Sequence, residues 1–335
     1  MINDKYRIKL ISMLILLLLC CFFSVSIGRY NISLINIARA FIGLNTEQQA
    51  WNVLFFVRLP RVIAAVLIGS ALALSGTVYQ SMFRNPLVSQ DILGVSSGAT
   101  VGASIAIILD FGNIPMLFSA FFAGLFAVAM TTFISKCLKS KSIITLVLSG
   151  IVVSGIFSSL TGLLKYLADT ETHLAPITFW TLGSIANISI DELFLVGPPI
   201  ILSTICIFAL RRNLNFLQID DTHLIDDSSA LYNKSSKYLL IVFSTILTAC
   251  AVSIAGTISW IGLVIPHIGR ALIGSNNEKL IPINALLGGT FLVGIDTLAR
   301  NISGVEIPLS ILSGTIGAPL YIWIIYKNRG RLANG

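Results

Sequence analysis

Between Arg61 and Arg84 the chain passes through about twenty residues without a charge, the length an α-helix needs to cross the apolar core of a bilayer. The run follows Arg58, Leu59, Pro60 and Arg61, breaks at Arg84, Asn85 and Pro86, and resumes near Ile92 as an apolar segment rich in Gly and Ser. It reads as a helix entering a membrane, a turn, and a helix returning. Ala65, Gly69, Ala73 and Thr77 recur four apart and so share one face, where small side chains let another helix approach closely. Gly94, Gly98 and Gly102 repeat the pattern after the turn, and a well-packed bundle is enough to account for both stripes.

Ten apolar segments of this kind can be placed, at about 8–27, 61–81, 92–109, 115–134, 143–165, 192–210, 238–255, 258–273, 281–300 and 307–326. With 55% hydrophobic and 11% charged residues among 335, the chain lies far from soluble domains, in which about a quarter of residues are charged. The reading is an all-α polytopic membrane protein, one transmembrane domain over 1–335 with about ten transmembrane helices. The net charge of +7 then reports topology, and no motif points to nucleic acid. If the N-terminus lies inside, sixteen Lys and Arg fall in inner segments and six in outer ones, which places both termini in the cytoplasm. The run Leu10–Ile27 reads as a retained helix and not as a lipoprotein signal ending at Cys20, because Leu19 stands where a small residue is needed. The five cysteines form no CxxC pair and indicate neither a disulfide nor a metal site.

Along the chain, residues 28–57 hold a short interfacial helix around Ile32 to Ile42. Pro176, Phe179 and Trp180 suit either an interfacial belt or the rim of a pocket. The longest inner segment, 211–237, sets Leu214, Phe216 and Leu217 beside Asp220, Asp221, Asp226 and Asp227, too apolar to remain a solvated loop, so it folds as a cover or meets a cytoplasmic partner. Residues 256–270 read GTISWIGLVIPHIGR. Pro266 removes a backbone donor and three glycines loosen the span, so irregular backbone is expected where protein or a cavity faces it. His267 stands alone, a hydrogen-bonded structural residue with no metal assigned.

No Gly-Lys pair occurs, so the chain lacks a P-loop and its energy must come from a partner or an ion gradient. An ion-coupled secondary transporter needs ionisable groups at membrane depth, and Asp296, near the outer end beside Arg300, is the one carboxylate placed inside a span. An intramembrane enzyme finds no HExxH, no paired aspartates and no Ser/His pair, and no catalytic residue is assigned.

At Arg58-Leu59-Pro60-Arg61, Asn85-Pro86-Leu87, Leu93-Gly94-Val95-Ser96, Gly262 through His267 with Arg270, and Glu306-Ile307-Pro308 followed by Gly314 and Gly317-Ala318-Pro319, the chain resembles the FecCD family. These are permease subunits of bacterial ABC importers for ferric siderophores, haem and cobalamin. The resemblance implies a ten-span fold in the cytoplasmic membrane, a dimer with a second permease chain, two cytoplasmic ATPases that bind ATP and Mg, and an extracytoplasmic binding protein. This chain itself would hold no cofactor. Arg58, Arg61 and Arg300 match the arginines that dock the binding protein; the alternatives are an Arg300–Asp296 pair and lipid anchoring by Arg58 and Arg61. Leu214, Phe216, Leu217, Asp220 and Asp221 fall where the family couples to its ATPase, although the glycine usual there is missing between Gly197 and Gly256. Pro86, Gly94, Gly262, Pro266, His267 and Pro308 are the implied structural and gating positions. A ferric siderophore is the first expected cargo, with haem and cobalamin next.

Overall fold

In hydrocarbon every backbone N–H and C=O must find its partner inside the protein, so apolar runs of this length fold as helices. The computed structural model describes residues 4–28, 30, 32–42, 48–138, 143–217 and 227–332, and every regular element among them is helical. Helix α1 (Asp4–Ser26) leads to the short amphipathic α2 (Leu34–Phe41), in the expected interfacial position, and to α3 (Gln48–Asn52). A π-helical stretch, Val53–Arg58, joins α3 to α4 (Leu59–Met82), making one continuous rod from Gln48 to Met82. Then follow α5 (Val95–Ile108), α6 (Asn113–Cys137), α7 (Ile143–Leu167), α8 (Leu174–Leu182), α9 (Ile190–Leu217), α10 (Asp227–Ala255), α11 (Ile261–Ile273), α12 (Asn277–Asn301) and α13 (Leu309–Leu332). Seven of these, α1, the 48–82 rod, α6, α7, α9, α10 and α12, are long and apolar enough to cross a membrane, and α5, α11 and α13 supply shorter apolar stretches. These ten elements fall on the ten segments expected.

The largest difference lies at 211–237. Helices α9 and α10 extend into it, so among the described residues the segment is two helix ends and not a loop. Helix α8 was not anticipated, because nine residues interrupted by Pro176 carry no clear period.

Side-chain bonds between the ends of the helices sort them onto two faces. Tyr6 Oη donates to Lys279 O at 3.4 Å and Lys9 Nζ to Leu272 O at 2.6 Å, which sets the start of α1 beside the α11–α12 turn. Arg84 Nη2 donates to Leu217 O at 3.2 Å, and Asn215 Oδ1 accepts from Asn277 N at 2.8 Å, adding the α4–α5 turn and the end of α9 to the same face. Arg212 pairs with Glu278 there at 3.6 Å. This is the basic face. On the opposite face Leu309 N donates to Gly183 O at 3.0 Å and Ser184 N to Ala255 O at 2.8 Å.

Helix α4 is the centre. A β-carbon on Gly69 would lie 2.3 Å from Gly288 O of α12, and one on Gly76 would lie 2.0 Å from Gly262 O of α11, so backbone meets backbone along the face of small residues. Between these contacts polar side chains bond across helices: Asn284 Nδ2 to Thr77 Oγ1 at 2.8 Å, Thr248 Oγ1 to Ser75 Oγ at 2.8 Å, and Tyr79 Oη with Thr245 Oγ1 at 3.0 Å. All six residues are buried, where an unpaired hydroxyl or amide costs about 1–3 kcal/mol.

Two apolar helices start within the bundle. Helix α5 begins after Gly94 at φ +87°, and α11 after Trp260 at φ +73°, left-handed turns that α-helical geometry cannot continue through. The segment before α5 is held by Gln80 Nε2 bonding to Val88 O at 3.0 Å and by Gln90 Nε2 bonding to Ile258 O at 3.3 Å, so its irregular backbone is bonded within the protein.

Gly76→Leu is expected to force α4 and α11 apart. The cost should exceed the usual 1–3 kcal/mol of an overpacked core, because the clash is with backbone. A thermal scan of the purified protein should show a lowered transition, whereas Gly155→Leu, which faces open space on α7, should leave it unchanged.

Candidate functional site

At the face away from the basic turns, the π-helical stretch and the first turn of α4 aim two arginines at the ends of α1 and α12. Arg58 Nη1 donates to Val25 O at 2.7 Å and to Ser26 O at 3.1 Å, and its Nη2 donates to Tyr30 O. The Val25 and Ser26 carbonyls end α1 with no helical donor of their own, so a guanidinium is a natural cap for them. Arg61 Nε donates to Asp296 Oδ1 at 2.8 Å, while its Nη1 and Nη2 grip both oxygens of Glu306 at 2.9 Å in bidentate fashion. Arg300 Nη2 donates to Ser24 O and Oγ at 2.6 Å, and Arg300 Nε lies 3.6 Å from Asp296 Oδ2. Asp296 has no exposed surface, and Arg58, Arg61 and Arg300 are only 3%, 5% and 7% exposed.

The three arginines expected to meet a binding protein are therefore turned inward and engaged by this chain's own acceptors. Arg300 makes the pair with Asp296 one helical turn away. Glu306 was quoted only as part of a motif; its bond to Arg61 spans 245 positions, which no local pattern reveals. Being 35% exposed, Glu306 is the one member of this cluster that reaches solvent.

At the basic face the structural positions converge on Gln80. Its Nε2 bonds Val88 O and, at 3.2 Å, Gly262 O, while its Oε1 accepts from Arg270 Nη2. Gly262 is required here, since a β-carbon would collide with Gln90 Oε1. His267 Nδ1 stands 3.3 Å from Arg270 Nη2, and its ring meets Tyr321 of α13 edge to face at 5.1 Å. Pro266 is buried inside α11, Pro86 is exposed in the α4–α5 turn, and Pro308 precedes α13. Asp91, in the turn before α5, accepts from Ser96 Oγ and from Gln90 Nε2 at 3.0 Å beside the start of that helix, a place where the helix dipole favours negative charge.

Of the residues expected to couple to an ATPase, Leu214 is fully buried in the main core, Leu217 is half-buried and Phe216 is 56% exposed. Asp220 and Asp221 lie outside the described residues.

A cavity of about 490 Å³ opens between α5, α6, α8, α9 and the end of α10, on the face away from the basic turns, lined by Asp110, His173, Phe179, Trp180, Glu192 and Gly256 among others. Trp180 and Phe179 thus rim a pocket. Across its mouth His173 Nε2 lies 3.3 Å from Asp110 Oδ1. Beside it the backbone N–H groups of Thr172 and Glu171, each 2.9 Å from Asp169 Oδ1, hold that exposed carboxyl below the usual carboxylate range.

Asp296 separates two buried guanidinium groups. Asp296→Asn strips buried Arg300 of its carboxylate and leaves Arg61 with Glu306 alone, and is expected to cost about 3–5 kcal/mol, while Glu306→Gln, partly in solvent, should cost about 1 kcal/mol or less. Thermal unfolding of the two variants side by side checks the order.

Residues 16–327 match the model of the FecCD transport family. The molybdate import system permease protein MolB of Haemophilus influenzae is 37% identical over 330 residues, covering 97% of each chain. A probable iron chelatin transport system permease protein of Helicobacter pylori is 35% identical over 308 residues, 92% of each. A solved structure assigned to a metal-chelate type ABC transporter, in an inward-facing conformation, superposes with a TM-score of 0.86 at 37% identity, covering 95% of this chain and 98% of that one. With helices in the expected order, the paired signatures at Arg58–Arg61 and Gly262–Arg270 in place, and a match over nearly the whole length, the chain belongs to the FecCD transport family, as a membrane-embedded permease of ABC importers and a transport component, not an enzyme.

Proposed function

We propose that this chain carries an iron chelate, of the ferric siderophore kind, across the bacterial cytoplasmic membrane. The likeness to a metal-chelate type transporter at TM-score 0.86 carries this reading, and the iron chelatin permease relative supports it. Haem and cobalamin are the neighbouring cargoes in the family. A second reading, a metal oxyanion, is favoured by the molybdate permease relative at 37% identity.

In this account the basic face is cytoplasmic. Two ATPases dock there against Phe216 and the ends of α9 and α10. ATP and Mg are bound by those partners, and nucleotide binding shifts a permease dimer between inward- and outward-facing states. Moving such an equilibrium from almost all one state to almost all the other takes a differential of about 5.5 kcal/mol. A second permease chain covers α13, whose residues Ile311, Thr315, Ile322 and Trp323 form an exposed stripe. The binding protein docks on the opposite face, where Glu306 is the exchangeable partner: a carboxylate on the carrier takes its place on Arg61. Such surface pairs set orientation and encounter rate more than affinity.

Reconstituted with its ATPase and binding protein, the chain is expected to accumulate radiolabelled ferric chelate only when ATP is present. Accumulation of molybdate in its place would select the oxyanion reading. Uptake by this chain alone, or uptake that survives without ATP and collapses with an ion gradient, would overturn the ABC-importer account.

Glu306→Gln tests the docking exchange. By loosening the competitor for Arg61, it should raise carrier association severalfold at low salt, with the gain vanishing at high salt. A titration showing no gain at low salt refutes the exchange.

A further inference from the structure

Arg58, Arg61, Arg300 and Arg270 turn into the membrane-spanning bundle, and the first three are capped by carboxylates or by backbone carbonyls. Arg61 and Arg300 meet carboxylates, and Arg58 meets the carbonyls that end α1. Arg270, half-buried near the basic end of α11, meets neither. Among the described residues no Asp or Glu lies within ion-pair distance of it, and both of its hydrogen-bond partners, Gln80 Oε1 and His267 Nδ1, engage Nη2 alone. A guanidinium carries five N–H donors, so Nε and Nη1 remain to be used.

Beyond the two acceptors on Nη2, the neighbours add donors. If His267 Nδ1 accepts from Arg270, the neutral ring carries its proton on Nε2, which becomes a free donor. Tyr321 on α13 stacks edge-on against that ring and lies within electrostatic range of Arg270. It is 9% exposed, and its hydroxyl finds no partner among the described residues. A cationic fork, an imidazole N–H and a phenolic O–H brought together without a carboxylate form the donor set that an oxygen-bearing anion satisfies.

We propose that Arg270, His267 and Tyr321 form a transfer site for the anionic oxygens of the cargo at the cytoplasmic end of its route. The anionic oxygens would be the carboxylate or phenolate groups of a ferric chelate, or the oxygens of a metal oxyanion. The inference rests on the transport reading above and deepens it by naming where the anion is held before release. A lipid phosphate carries the same chemistry, so the test separates the two sources. The site binds weakly, since a station that held its anion tightly would stall release.

Tyr321→Phe is the decisive variant, because it removes only a hydroxyl that finds no partner among the described residues. Were Tyr321 purely structural, losing that hydroxyl would leave stability and uptake unchanged or improved. As part of an anion site, the variant should melt no lower than wild type and bind the ATPase normally, yet take up cargo severalfold more slowly. Arg270→Gln should lose uptake almost entirely, with Arg270→Lys restoring part of it. Equilibrium dialysis of radiolabelled molybdate against the permease in nanodiscs of neutral phosphatidylcholine supplies the binding readout: wild type should retain the probe, Tyr321→Phe less, and Arg270→Gln none. Equal retention by all three, or retention by none, overturns the site. So does a Tyr321→Phe effect on uptake that appears only when phosphatidylglycerol is present, which would assign the donors to lipid. If the complete wild-type complex takes up neither ferric chelate nor molybdate, the transport reading fails, while the dialysis still decides whether the anion site exists.

Discussion

No methyl group fits at Gly69 and Gly76, where α12 and α11 cross α4. Gly69 lies against Gly288 and Gly76 against Gly262, so α12 and α11 touch α4 through their backbones. In a bilayer, lipid tails are as apolar as side chains, and helices associate through close packing and polar bonds instead of expulsion from water. The glycine contacts bring Thr77 within reach of Asn284, and Gln80 within reach of Gly262 O and Arg270. They also fix the far end, where Arg61 on α4 meets Asp296 on α12. The polar clusters around Gln80 and around Asp296 are thus consequences of how close one central helix can be approached.

Much of this was legible because the signals are local. Charge-free runs located the ten apolar elements, and the four-residue spacing of Ala65, Gly69, Ala73 and Thr77 marked the face of α4 that turned out to carry α12. The proline in LVIPHIGR located the short α11, though its start at a left-handed Trp260 was not foreseen. What stayed hidden depends on residues far apart in sequence. Arg58, Arg61 and Arg300 stood out by motif, but whether they face solvent is decided by Asp296 and Glu306, 235 and 245 positions from Arg61. Leu214 was matched to the coupling segment by resemblance; α9 continues through it and buries it against the core.

The irregular stretches have a common logic. Residues 83–94 and 256–260 leave backbone groups that lipid cannot satisfy, and glutamine side chains from α4 and the turn itself satisfy them. Glutamine suits the task because its amide donates and accepts without bringing a charge. Gln80 uses both halves, donating to Val88 O and Gly262 O while accepting from Arg270, so one side chain ties two helix starts to the central rod.

The cations are treated in two ways that differ in consequence. Where carboxylates or helix-ending carbonyls saturate a guanidinium, as at Arg58, Arg61 and Arg300, the charge becomes a joint between helices and resists change, because separating the partners strands a buried ion. Where neutral acceptors engage only part of it, as at Arg270, binding capacity remains. The donors around Arg270 are divided between α11, which packs on α4 and α12, and α13, which packs on α11 and α12. A shift of α13 relative to α11 would carry Tyr321 away from His267 and Arg270 and leave α4 in place. Anion affinity at that spot is therefore tied to the relative position of two helices. A difference in affinity between two arrangements is the condition under which a ligand and a conformational change act on each other.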